Sequence, residues 1–240
     1  MSSGASDTVL VSAQELQSRK RVQLVEISVF LLLIAPSLIF SFFVVKQGSL
    51  GFVPTAFATM LRDLGLVCLI LYFLWRANEP VVDIGWRRRN WLREVLLGVL
   101  LFVPFFYGTA VIGTTLRFIG LSSPKTPLPA LVPGRSLGQS LLAFVLISIV
   151  ALAEETIFRG YLILRLRAVS GSLVAAVLLS AVIFSFGHGY EGSAGVVTVC
   201  VMGLVFALIY LWRQSLVAPI VMHFLQDFVA IVLLPLVGKR

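Results

Sequence analysis

Charged side chains are scarce in this sequence. Asp, Glu, Lys and Arg make up 12% of its 240 residues, against 59% hydrophobic residues and a mean hydropathy of +1.01. A soluble domain carries roughly a quarter charged residues, so the shortage excludes an ordinary water-soluble fold and marks an integral, multi-pass membrane protein. Cysteine is almost as thin. Cys68 and Cys200 both fall in apolar stretches without CxxC spacing, which excludes a disulfide framework or a zinc ribbon and predicts two buried free thiols. No internal repeat, low-complexity tract or HExxH motif is present, and the chain reads as one domain with no soluble module that would name a partner. Histidine occurs twice.

What the sequence does have is basic charge, +8 with a pI near 10.1. The basic residues sit in loops between apolar runs, where they act as topology signals, and nucleic acid is not an expected partner. Windows of about 20 apolar residues place candidate spans near residues 24–45, 53–75, 93–116, 138–157, 172–187, 195–212 and 216–236. The expected fold is therefore all-α, a polytopic transmembrane helical bundle of about seven spans, or eight if one run is split. With alternating loops, Arg19, Lys20, Arg21, Arg76, Arg87, Arg88, Arg89, Arg93, Arg165, Arg167 and Arg213 gather on one side. Lys46, Arg117, Lys125, Arg135, Lys239 and Arg240 lie on the other. The positive-inside rule then predicts a cytoplasmic N-terminus.

Residues 1–22 read as a polar cytoplasmic tail, disordered or a short surface helix, ending in a retained signal anchor. Residues 23–240 form the bundle. The arginine triplet 87–89, flanked by Trp86 and Trp91, suits an anionic headgroup layer. The loop LSSPKTPLPALVPGRS, with four prolines, reads as a non-helical connector.

Against this apolar background the ionisable residues inside spans stand out, because each costs at least a few kcal/mol at membrane depth. In ALAEETIFRGYL, Glu155 and Arg159 are spaced for an ion pair along one helix face, acid before base. Glu154 is rotated by about 100° from Glu155 and is free for a separate task. In FSFGH, Phe184 and His188 stack at i, i+4, and in HFLQD the same spacing aligns His223 with Asp227. Three helices can thus present polar groups to one interior point. A carboxylate and an imidazole near one water form a general-base pair, and a second imidazole can donate to a developing oxyanion. Those are parts of a peptide-hydrolysing site that needs no serine or cysteine nucleophile. Arg62 and Asp63 in the second span are adjacent, so they point to different faces, and no chemistry is assigned to them. The same groups also suit plain interhelical glue.

EETIFR, FSFGH and HFLQD match, in order, the EExxxR, FxxxH and HxxxN/D motifs of the CAAX protease and bacteriocin-processing family of intramembrane endopeptidases, which includes prenyl-protein endopeptidases. The sequence resembles that family over roughly residues 137–235, its expected protease core. The resemblance implies that Glu154 and His188 activate the attacking water and that His223 with Asp227 stabilises the tetrahedral intermediate. It also implies that Glu155, Arg159 and Phe184 position the motif helices or the substrate. Aspartate at 227, often asparagine in the family, either stays protonated and donates or holds His223 in place. Metal-free catalysis is expected, with zinc held by Glu154, His188, His223 and Asp227 as the alternative. The implied substrate is a membrane-associated protein or peptide, such as a prenylated CAAX-type tail. A non-catalytic membrane scaffold or immunity-type binding protein of the same family is the second reading, and an ion or proton-coupled carrier the third.

Overall fold

The computed structural model describes residues 3–43, 51–87, 90–124, 132–134 and 136–234. Lys46, Arg88, Arg89, Lys125, Arg135, half of the proline-rich loop and the C-terminal Lys239 and Arg240 lie outside the described residues. Every regular element among the described residues is helical. The chain forms α1 (Ser3–Ser41), α2 (Phe52–Arg76), α3 (Trp91–Phe118), α4 (Leu137–Glu154), α5 (Ile163–Ser170), α6 (Leu173–Phe186), α7 (Gly192–Arg213) and α8 (Val217–Asp227). A π-helical segment, Glu155–Leu162, joins α4 to α5 without a break, and a second, Phe228–Leu233, continues α8.

Five stretches are long and apolar enough to cross a membrane: Lys20–Ser41, Phe52–Arg76, Trp91–Phe118, Leu137–Ser170 and Gly189–Arg213. Two shorter apolar helices, Leu173–Phe186 and Val217–Leu233, complete the set. All seven apolar runs of the sequence are therefore helical, and none is split among the described residues. One boundary differs from expectation. The fourth run does not stop near 157 but continues through the motif to Ser170, because the π-helical segment keeps the backbone bonded where the charged residues begin. The first helix starts at Ser3 and runs into the first span, whose apolar stretch begins at Lys20. The cysteines differ too: Cys68 is exposed on the outside of the bundle and Cys200 is partly covered, since each points away from the core formed by its own helix.

Local signals explain the helix ends. Ser136 accepts from the Gln139 N–H at 3.2 Å to cap α4, and Ser172 accepts from the Ala175 N–H at 3.2 Å to cap α6. Gly171, at φ +72°, makes the left-handed turn between α5 and α6. The helix α3 packs on α8, α6 on α7, α2 on α4, and α5 against α6 and α1. A Cβ on Gly98 would lie 2.8 Å from Val221 Cβ and 2.9 Å from the Ala218 carbonyl oxygen, so glycine is what lets α3 approach α8 this closely. That contact seats the helix carrying His223 and Asp227.

Ion pairs tie one end of the bundle together. Arg165, 1% exposed, lies 2.7 Å from Glu79 and 3.2 Å from Glu26 of α1, with its guanidinium over the Tyr161 ring. Arg213 at the end of α7 pairs with Glu94 at the start of α3 at 2.6 Å. All five charges lie at the same end of alternating helices, which fits the alternation read from the loops. Pairing offsets the burial of each charge and restricts how these helices can slide.

Candidate active site

The motif helices bring their polar groups together around the His223 ring. Glu155, fully buried, places Oε1 2.9 Å from Arg159 Nη1 and 2.8 Å from His223 Nδ1. One carboxylate oxygen therefore serves both the ion pair along its own helix and a bond across to α8. An ionised carboxylate only accepts, so Nδ1 of His223 is the protonated nitrogen and donates to Glu155. The other nitrogen, Nε2, lies 3.7 Å from Glu154 Oε2 and 3.6 Å from Asp227 Oδ2. Both separations exceed a direct hydrogen bond. The imidazole is thus wedged between two neighbouring glutamates, one on each ring nitrogen.

The environment of Arg159 explains how a guanidinium can be 1% exposed in an apolar bundle. It sits over the Phe184 ring at 4.1 Å from the centroid and over Phe206 at 5.2 Å. The same two rings flank His223, Phe206 stacked at 5.7 Å and 28° and Phe184 edge-on at 6.0 Å and 81°. Gly203 makes room for the guanidinium, since a Cβ there would stand 3.3 Å from Arg159 Nη2. Phe184 thus contacts its expected partner His188, at 5.0 Å between ring centres, and also covers Arg159 and His223.

The π-helical register is held by specific donors. The Thr156 hydroxyl donates to the Leu152 carbonyl at 2.7 Å, and Ser180 of α6 donates to the Phe158 carbonyl at 2.6 Å. A bonding pattern of i to i−5 frees carbonyls that an α-helix would satisfy, and Ser180 supplies a donor to one of them. Gly160 is required in the same segment: its Cβ would be 2.7 Å from the Ile84 carbonyl oxygen, so the loop after α2 packs directly on the motif backbone.

His188 stands at the end of α6, where its Nδ1 donates to the Phe184 carbonyl at 3.2 Å and leaves Nε2 free in the neutral ring. It lines a cavity of about 60 Å³ together with Glu154, Arg62, Asp63, Phe184 and residues of α1. That volume holds about two waters at liquid density. Glu154 Oε2 is buried without a hydrogen-bond partner, an acceptor prepared for a water or a substrate group. No group of three or more His, Cys, Asp or Glu among the described residues is disposed to hold a metal ion.

Three features of the site were not legible in the sequence. The bond from Glu155 to His223 joins residues 68 apart, and Phe206 is an aromatic residue in a wholly apolar span with nothing to single it out. The third is Arg62 with Asp63. Although adjacent, they pair at 2.8 Å and both line the Glu154 cavity, where their sequence positions suggested divergent faces. The arginine side chain is long enough to fold back along its own helix.

A buried cluster of carboxylates and imidazoles beside a small polar cavity, within an apolar multi-helix bundle, marks a candidate functional site at membrane depth. Residues 136–229 match the family model described as Rce1-like, type II CAAX prenyl endopeptidase Rce1-like. The resemblance carried by the three motifs is borne out over that stretch, which contains every motif residue, and the family is one of proteases. No curated protein and no solved structure gives a match.

Proposed function

We propose that the protein is an intramembrane endopeptidase that hydrolyses a peptide bond of a membrane-associated, CAAX-type substrate. The observation that carries this reading is the cavity lined by both Glu154 and His188. A water there gives a proton to Glu154 and adds its oxygen to the scissile carbonyl carbon, and the proton then passes to the leaving amine as the C–N bond breaks. His188, held by its Nδ1–H, keeps Nε2 as the second acceptor for that water. The carbonyl oxygen, becoming negative, takes the space beside His223 Nε2. Donation from that nitrogen requires it to carry a proton, and the carboxylates of Glu155 and Asp227 compensate the accompanying charge once Glu154 has taken the proton of the water. Asp227 acts in this scheme by holding His223, with its own oxygen kept off the oxyanion. The catalytic groups lie within an apolar bundle, which selects substrates that partition into lipid. The basic loops, and the ion pairs gathered at one end of the bundle, support a cytoplasmic N-terminus.

The test is cleavage of prenylated and unmodified membrane peptides by purified, lipid-reconstituted protein, with and without a strong chelator. Glu154→Ala and His188→Ala are each expected to lower turnover by about 10²- to 10⁴-fold while the protein stays folded and inserted, and the chelator is expected to leave wild type unchanged. Full activity of either variant refutes the assignment. A second reading is a non-catalytic membrane scaffold of the same family, since a family match does not by itself fix activity. That reading requires both variants to keep the protein's cellular phenotype.

A further inference from the structure

Arg62 is placed where the water-activation scheme makes no use of it. It stands in α2, its side chain 44% exposed, while the carboxylate that holds it belongs to Asp63, 2% exposed. Both Nε and Nη2 of Arg62 engage the same oxygen, Asp63 Oδ1, at 2.8 Å. Nη1 has no hydrogen-bond partner among the described residues. The arginine is therefore anchored by one edge and available by the other, and its planar fork suits a carboxylate. It lines the cavity that contains Glu154 and His188. The other cation of the site, Arg159, is enclosed by Glu155, Phe184 and Phe206 and is out of reach of a ligand.

From this we infer that Arg62 is a specificity-determining residue that binds the substrate's C-terminal carboxylate, with Asp63 as its positioning residue. The inference rests on the endopeptidase reading and deepens it. A CAAX-type substrate is cut close to its chain end, so its terminal carboxylate must come within about 10 Å of the scissile bond if three residues follow it in extended form. Carrying that charge into an apolar bundle is strongly unfavourable without a counter-charge. Glu154, Asp63, Asp227 and Glu155 repel it, and among the described residues Arg62 is the one arginine or lysine lining the cavity beside His188. An alternative role, donation to the oxyanion during the reaction, predicts an effect that ignores the chain end.

The experiment compares one peptide with a free C-terminal carboxylate and the same peptide as its carboxamide. Cleavage is measured with wild type, Arg62→Gln and Arg62→Lys, and equilibrium binding is measured with the same substitutions placed in a Glu154→Gln background. Wild type is expected to prefer the acid by about 10- to 100-fold in kcat/KM, the range for a hydrogen bond to a charged group. Arg62→Gln should erase that preference through KM and leave the carboxamide unchanged, with Arg62→Lys in between. Equal losses for acid and carboxamide, or no acid preference in either assay, overturn the inference. Acid-selective binding that Arg62→Gln abolishes, without cleavage of either peptide by wild type, refutes the protease reading and keeps the carboxylate site.

Discussion

Glu155 is the residue whose loss separates a structural account of the motif from a purely catalytic one. Replacing it with Gln keeps its shape and removes its charge, leaving Arg159 buried at 1% exposure without a counter-ion. Breaking a buried pair from one side costs about 3–5 kcal/mol, because the remaining charge stays desolvated. Two aromatic faces over the guanidinium offset part of this, about 0.5–2 kcal/mol, so a net loss of about 2–4 kcal/mol is expected. The bond from Glu155 to His223 is an interhelical hydrogen bond, and such bonds average only about 0.6 kcal/mol in membrane bundles. His223→Gln should therefore destabilise far less than Glu155→Gln, although both touch the same oxygen. The double variant Glu155→Gln with Arg159→Met removes both charges and should recover stability relative to Glu155→Gln alone, giving a coupling energy of about 2 kcal/mol. Reversible unfolding in lipid bicelles, followed by tryptophan fluorescence, measures all four members of the cycle. Additive single costs, or a Glu155→Gln cost below about 0.5 kcal/mol, would refute the reasoning that one buried carboxylate compensates Arg159.

Two further outcomes follow from the geometry. Gly160→Ala places a methyl 2.7 Å from the Ile84 carbonyl oxygen and should destabilise by about 1–3 kcal/mol. The same unfolding assay checks it, and a neutral result would mean that the loop after α2 does not pack on the motif. Asp227→Asn keeps a polar group 3.6 Å from His223 Nε2 and should retain activity within about tenfold, whereas Asp227→Leu, which removes the group that holds His223, should lose about 10²-fold, the scale of a displaced catalytic group. Initial rates on a cleaved peptide decide between them, and an Asn variant as inactive as the Leu variant would show that the negative charge itself is needed.

The fold was largely legible because membrane spans are written as composition: a run of apolar residues that must satisfy its own backbone has no alternative to a helix. What composition does not encode is that a helix continues past its apolar window into charged residues whose partners come from other helices, and so the apolar window ends near 157 while the helix runs on to Ser170. The site was legible to the extent that its partners are local. Glu155 with Arg159, Phe184 with His188, and His223 with Asp227 all lie at i, i+4, a spacing that survives into the structure. Contacts between distant elements left no such trace. Phe206 is one phenylalanine among 18, and nothing in its neighbourhood distinguishes the ring that stacks on His223 from those that face lipid.

The pairing of two adjacent glutamates illustrates why local spacing was informative without being sufficient. On helical geometry alone, Glu154 and Glu155 diverge, which suggests separate tasks for them. In the structure they do diverge, yet they converge again on opposite nitrogens of a single imidazole, because α8 inserts His223 between them. The consequence is directional. Each glutamate keeps a buried Oε2 without a hydrogen-bond partner, but Glu155 is committed through Oε1 to Arg159 and to Nδ1, whereas Glu154 lines the water-sized cavity with His188 and is placed to act as a base. The close approach of α3 to α8 at Gly98, the space left by Gly203 and the Ser180 bond to the π-helical backbone each act on this arrangement from outside the motifs. A substitution at any of them that shifts α8 by an ångström would alter the 3.6 and 3.7 Å gaps around Nε2 without touching a motif residue, and displacements of that size can cost about 10²-fold in rate.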